Sequence, residues 1–149
     1  MVFIRLVFFL QRTKHSFMRV IVLGAGTVGN WIADMLCRRH HSVTVVDSDP
    51  EVVQRINSEL DVRAVCGNAA QSTLLFQCDV FGADLVLSVT GTDEVNLVAA
   101  SMAKKLGARR TVARVYAPAY HDLSTFDYQS HFGIDSMLSL EQLTATELA

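Results

Sequence analysis

The chain has 149 residues, 50% apolar and 19% charged, with 13 Lys plus Arg against 15 Asp plus Glu and a net charge of −2. This length fits one domain of roughly 100–200 residues rather than two large ones, and the apolar content is far from that of disordered chains. The total hides a split, because residues 1–18 hold Arg5, Arg12 and Lys14 without a carboxylate, net +3, whereas residues 19–149 carry −5. An acidic body argues against a nucleic-acid partner, which needs clustered basic charge to neutralise phosphates.

Residues 2–10 (VFIRLVFFL) form an apolar run broken by Arg5. It is too short to span a bilayer, which takes about 20 apolar residues. A signal peptide would carry its charge before the apolar run and a small-residue cleavage site after it, and neither is present. Three readings stay open: an upstream start-site extension, a basic apolar segment lying on a membrane or partner, or a transit-like peptide. The first is favoured because Met18-Arg19 directly precedes a run that reads as the start of a domain. Residues 1–17 are therefore expected to lie outside a domain of residues 18–149.

Val20–Leu23 is a short β-branched-rich run, as expected for a strand buried on both faces of a parallel sheet. Apolar Val28, Ile32, Met35 and Leu36 then recur at helical spacing from Thr27 to about His41. Val43–Val46 is a second strand ending at Asp47, and Asp49 with Pro50 caps a helix whose inward stripe is Val52, Val53, Ile56 and Leu60. Val62–Cys66 is a third strand, closed by Gly67-Asn68, with a short helix over Gln71–Cys78. Asp84–Val89 is the fourth strand. Val95, Val98, Ala99, Met102 and Leu106 mark the next helix, which stops at Gly107. Thr111–Val115 is a fifth strand, a helical stretch runs from Pro118 to about Tyr128, and Ile134–Leu138 is a sixth strand. Ser139-Leu-Glu-Gln142 has the form of a capping box and opens a helix that continues to Ala149 without a stop signal, as expected of a segment cut from a longer protein. Alternating strands and helices predict an α/β Rossmann-type, doubly wound parallel six-stranded sheet in the order 3-2-1-4-5-6, with helices on both faces.

The segment Gly24-Ala25-Gly26-Thr27-Val28-Gly29 fits G-x-G-x-x-G. The motif alone is weak; here it follows a strand, opens a helix, and precedes an acidic residue, Asp47, at the end of the second strand. Gly24 would permit the tight turn, Gly26 the approach of a pyrophosphate, and Gly29 close packing of helix on sheet. The free N–H groups of the first helical turn would face the phosphates with the positive end of the helix dipole behind them. Asp47 is placed to accept hydrogen bonds from ribose hydroxyls, and its charge would repel a 2′-phosphate, so NAD(H) is expected over NADP(H). Thr90-Gly91 falls beside the crevice where strand order reverses. Arg114, at the end of the fifth strand, could reach phosphates or form an ion pair. Asn68 could read the adenine edge or serve only its turn.

Cys37, Cys66 and Cys78 are odd in number and lack C-x-x-C spacing, which fits a reducing compartment, by default the cytoplasm. The spacing of Cys and His argues against a metal site.

The segments RVIVLGAGTVG, VTVVDSDPE, Gly67-Asn68-Ala69, ADLVLSVTGTDEVNLVAASMAKKLGA, TVARV and FGID with the later LEQL resemble one family. It is the nucleotide-binding RCK or KTN domain of Trk-type potassium-uptake regulators, the TrkA N-terminal domain, and the resemblance covers residues 18–149. It implies a cytoplasmic ligand-sensing subunit without enzymatic activity. Such domains dimerise largely through their last helices and assemble beneath a membrane potassium-translocating protein. There NAD(H), or ATP, ADP or AMP, biases the gate. By position, Gly24, Ala25, Gly26, Thr27 and Val28 would meet phosphates, Asp47 ribose, Thr90 and Gly91 the nicotinamide side, and Arg114 the phosphates. Asn68 stands where relatives often have an acidic residue. The resemblance's C-terminal ligand-binding domain and second tandem copy are missing, so the chain is expected to be a fragment or a short protein that works with separate partners.

The alternative is the cofactor half of an NAD-dependent oxidoreductase. That chemistry needs a substrate pocket with a proton donor or acceptor. His121-Asp122 is the one local pair that suggests it, and a helical surface setting is expected for both residues.

Overall fold

The computed structural model describes residues 17–139. Six strands, β1 (Arg19–Leu23), β2 (Ser42–Asp47), β3 (Arg63–Cys66), β4 (Leu85–Ser88), β5 (Thr111–Arg114) and β6 (Ser136–Leu138), alternate with helices α1 (Thr27–Arg38), α2 (Pro50–Glu59), α3 (Ser72–Gln77), α4 (Asp93–Lys105) and α5 (Tyr128–Phe132). Every pairing is parallel, and the sheet order is β3-β2-β1-β4-β5-β6, as the sequence pattern predicts.

The central strands β1 and β4 are nearly continuous apolar runs because helices cover both faces of the sheet there. Val20, Val22, Val45, Leu85 and Leu87 point to one core, where α1 and α2 contribute Ile32, Leu36 and Ile56. Ile21, Leu23, Val46 and Val86 point to the other, where α3 and α4 contribute Leu74, Leu75, Ala99 and Ala103. Toward the β6 edge, Leu97, Ala100, Ala113, Val115 and Ile134 form a third cluster. Asp49 caps α2 by accepting a hydrogen bond from the Glu51 N–H at 2.9 Å, with Pro50 at the first helical position.

Two expectations need correction. The helix expected from Pro118 to Tyr128 is a single 3₁₀ turn, Pro118–His121, and α5 starts only where that stretch was to end. Asp122 accepts from the Ser124 N–H at 2.9 Å and Asp127 from the Ser130 N–H at 3.0 Å; these local bonds divert the chain into turns and restart the helix. The buried face of α4 is also rotated from the expected stripe. Its buried residues are Asn96, Leu97, Ala99, Ala100 and Ala103, while Val98 is 40% exposed, because small side chains let the helix sit close to the sheet. The helix expected after Ser139 lies outside the described residues, as do residues 1–16.

At the base of β1, His41 is 7% exposed, and its Nδ1 accepts the Met18 N–H at 3.1 Å. Burial, with the nearby Arg39 charge, lowers its pKa from the ordinary histidine value. Protonation would turn that acceptor into a donor facing a donor. Because the native pKa lies below the unfolded one, this stability is complete above about pH 6.5 and is lost as pH falls through the native value. We expect the urea midpoint to drop between pH 7.5 and 5, and His41→Gln, which keeps an acceptor, to flatten that dependence. An equally steep profile in the variant would rule His41 out.

Candidate functional site

The polypeptide leaves β1 toward one face of the sheet through α1 and leaves β4 toward the other through α4. Between these adjacent strands lies a crevice of about 550 Å³, built from the carboxyl ends of β1, β2, β4 and β5 with the segment after β3. Gly24, Ala25, Gly26, Asp47, Asn68, Thr90, Gly91 and Arg114 all line it. Thr27, Val28 and Gly29 do not: Thr27 is exposed in the first turn of α1, Val28 packs against the first core, and Gly29 is buried beneath the turn.

The three motif glycines do different work. Gly24 has φ +104°, and a Cβ there would stand 2.8 Å from the Thr90 Cα, so only glycine lets the β1–α1 and β4–α4 turns touch. A Cβ at Gly29 would overlap the Gly24 carbonyl. At Gly26 a Cβ would meet nothing within 4 Å, since this residue borders the open crevice.

Asp47 ends β2, and its side chain is already engaged. Oδ2 accepts the Ala25 N–H at 2.9 Å and Oδ1 the Asp49 N–H at 2.9 Å, so it braces the glycine turn against the start of α2. An ionised carboxylate offers about four acceptor positions, which leaves capacity for hydroxyl donors. Asn68 Oδ1 accepts the Ala70 N–H at 2.9 Å, so the turn role is realised while the side chain borders the crevice.

At the far end, Arg114 is 7% exposed. Its Nη2 donates to the Val89 and Thr90 carbonyls, both at 2.9 Å, and its guanidinium lies 4.8 Å from the Tyr116 ring. Burial pulls its pKa below the ordinary arginine value, with Tyr116 and Asp93 acting in the opposite direction. Among the described residues, no carboxylate pairs with it within 4.0 Å, and its buried Nε has no partner. A buried guanidinium left this way is costly unless an anion completes it.

Sequence reasoning missed Asn96. This fully buried α4 side chain accepts from the Thr90 N–H at 2.9 Å and the Thr90 hydroxyl at 2.6 Å, and donates to the Thr90 carbonyl at 3.0 Å and the Arg114 carbonyl at 2.7 Å. The available signal was a polar residue at position i of a face continued by Ala99, Ala100 and Ala103. Asp93, also on α4, accepts from the Tyr116 and Ala117 N–H groups at 2.8 and 2.9 Å. His121 and Asp122 do not form an acid–base pair. His121 Nε2 bonds the Val115 carbonyl at 2.8 Å, and Asp122 holds Ser124.

The fold and crevice define a Rossmann-type domain with the glycine-rich turn and acidic β2 terminus of dinucleotide-binding proteins. The family described as the TrkA-N domain matches residues 20–139, and the chain belongs to it. It is 36% identical over 132 residues to the Trk system potassium uptake protein TrkA of Halomonas elongata, covering 88% of this chain and 29% of that protein. The chain thus spans less than a third of that relative's length. The TrkA-N domain of inner membrane protein ybaL from Escherichia coli superposes with a TM-score of 0.75 at 17% identity, covering 89% of this chain and 94% of that one. The GsuK channel bound to NAD superposes with a TM-score of 0.70 at 15% identity, covering 83% and 21%. Among the described residues, no helix is long and apolar enough to cross a membrane.

Proposed function

We propose that this domain is the nucleotide-sensing part of a potassium transport system. NAD(H) or an adenine nucleotide binds the crevice and biases the gate of a membrane potassium-translocating partner, from the cytoplasmic side and as a homodimer or larger homo-oligomer. The observation that carries the reading is Arg114, a buried cation without an ionic partner among the described residues, at the edge of an open crevice that also holds the glycine turn. A diphosphate would complete its charge while Gly26, which borders the crevice at the N-terminus of α1, would let it approach the positive end of that helix. Asp47 would hold the ribose. The potassium-uptake name of the Halomonas relative and the NAD bound by the GsuK channel support the assignment. A ligand moves a gate only through different affinities for its two states, so binding is the property to establish first. The domain is proposed to bind without turnover; hydride exchange between NADH and a carbonyl substrate would refute that.

Calorimetric titration with NAD, NADH, NADP, ATP and ADP tests the site, and binding by none of them would end this reading. Asp47→Ala is expected to weaken NAD by about 1–3 kcal/mol through lost charged hydrogen bonds. Wild-type affinity for NADP equal to that for NAD would remove Asp47 as the discriminating group. Gly26→Ala places a methyl group in open crevice where phosphates would approach. It should leave folding stability within about 0.5 kcal/mol, because nothing in the fold meets the new atom, yet weaken NAD about tenfold. Unchanged affinity would move the phosphates away from this turn.

A further inference from the structure

We propose that Asn96 is the positioning residue of the crevice, fixing Thr90 and Arg114 in the arrangement that receives a phosphate-bearing ligand. This deepens the nucleotide reading and rests on it. The amide makes contact with all three hydrogen-bonding groups of Thr90: its N–H, its hydroxyl and its carbonyl. Its fourth strong bond, from Nδ2 to the Arg114 carbonyl at 2.7 Å, ties the end of β5 to the same side chain. The Arg114 guanidinium returns to the turn by donating to the Thr90 carbonyl, which Asn96 also engages. Arg114 is therefore held at its backbone by Asn96 and at its guanidinium by the turn that Asn96 holds.

The alternative for a buried amide is a purely structural bond, and two details favour positioning. Three of the bonds converge on Thr90, beside a longer one from the Ser88 hydroxyl of β4 at 3.3 Å and the one to the Arg114 carbonyl at the end of β5, and both Thr90 and Arg114 line the crevice while Asn96 does not. The guanidinium also keeps donor capacity in reserve, since its buried Nε is unpartnered among the described residues. A planar fork aimed by its surroundings loses little freedom when it meets a phosphate. Asn96 thereby acts on the ligand through Arg114 and touches no part of it.

The test is the ratio of ADP affinity to adenosine affinity in Asn96→Ser, measured by calorimetry. Adenosine reports the Asp47 end and ADP adds the phosphates. ADP should weaken about tenfold while adenosine changes less than about twofold, as expected for loss of a charge-assisted contact at one end only. With Arg114→Met already present, Asn96→Ser should cost less than about twofold further, because its route to the ligand is gone. Equal losses for ADP and adenosine, or additive losses in the double variant, would overturn the proposal and leave Asn96 structural. If Asn96→Ser does not fold, Thr90→Val, which deletes the 2.6 Å hydroxyl contact, takes the same ratio test, and an unchanged ratio there overturns it. Failure of the wild-type domain to bind ADP, NAD or adenosine would instead refute the nucleotide reading itself.

Discussion

Gly29→Ala should lower the stability of the domain by about 3 kcal/mol, a fall in Tm on the order of 10 °C for a domain of this size. The backbone at Gly29 is helical, so strain is not the cause; space is. The new methyl would overlap the Gly24 carbonyl and stand 3.4 Å from Val89 Cγ2. Neither side can give way. Gly24 is pinned by its φ of +104° and by its N–H bond to the Val46 carbonyl at 2.7 Å. The helix is pinned by Ile32, Ala33 and Leu36, all buried in the first core. Urea unfolding measures the effect, with Gly26→Ala as the control in which the same methyl meets open space. Equal midpoints for the two variants would refute the packing argument.

Arg114→Met should weaken ADP and NAD by about 2–4 kcal/mol, the usual loss when a buried charged contact to an anion is removed. Its effect on folding should be far smaller, within about 1 kcal/mol in either direction. Removing a buried charge without an ionic partner relieves desolvation, while the Val89 carbonyl loses a donor and the Thr90 carbonyl keeps Asn96. Binding calorimetry and thermal unfolding on one preparation separate the two. A large loss of stability with unchanged affinity would make Arg114 a structural residue.

The parts of the fold written in periodicity were legible in the sequence. Runs such as Val20–Leu23 and the helical spacing of Ile32 and Leu36 define βαβ units, and right-handed crossovers leave few sheet orders. Both helix errors come from competition that periodicity does not register. Asp122 and Asp127 spend their carboxylates on local backbone, and the Ala99, Ala100 and Ala103 face of α4 outranks its larger apolar residues because closeness to the sheet, not side-chain size, decides burial. In the crevice, backbone shape was readable from Gly24, Gly26 and Gly29. Side-chain partnerships were not. Nothing in the order of residues joins Asn96 to Arg114, or Asp47 to Ala25, since those contacts exist only after separate strands become neighbours.

The β1–β4 pairing has a kinetic consequence. The Arg19 N–H to Asp84 bond, at the start of that seam, links residues 65 apart in the chain, whereas the remaining strand pairs join successive βαβ units. Loop-closure entropy is therefore greatest at the seam, and contact order, hence the folding barrier, is concentrated there rather than spread over the sheet. The crevice opens at the top of this same seam. Its geometry is a product of the most nonlocal step of folding, and the two half-sheets on either side can each gain local order before the crevice exists.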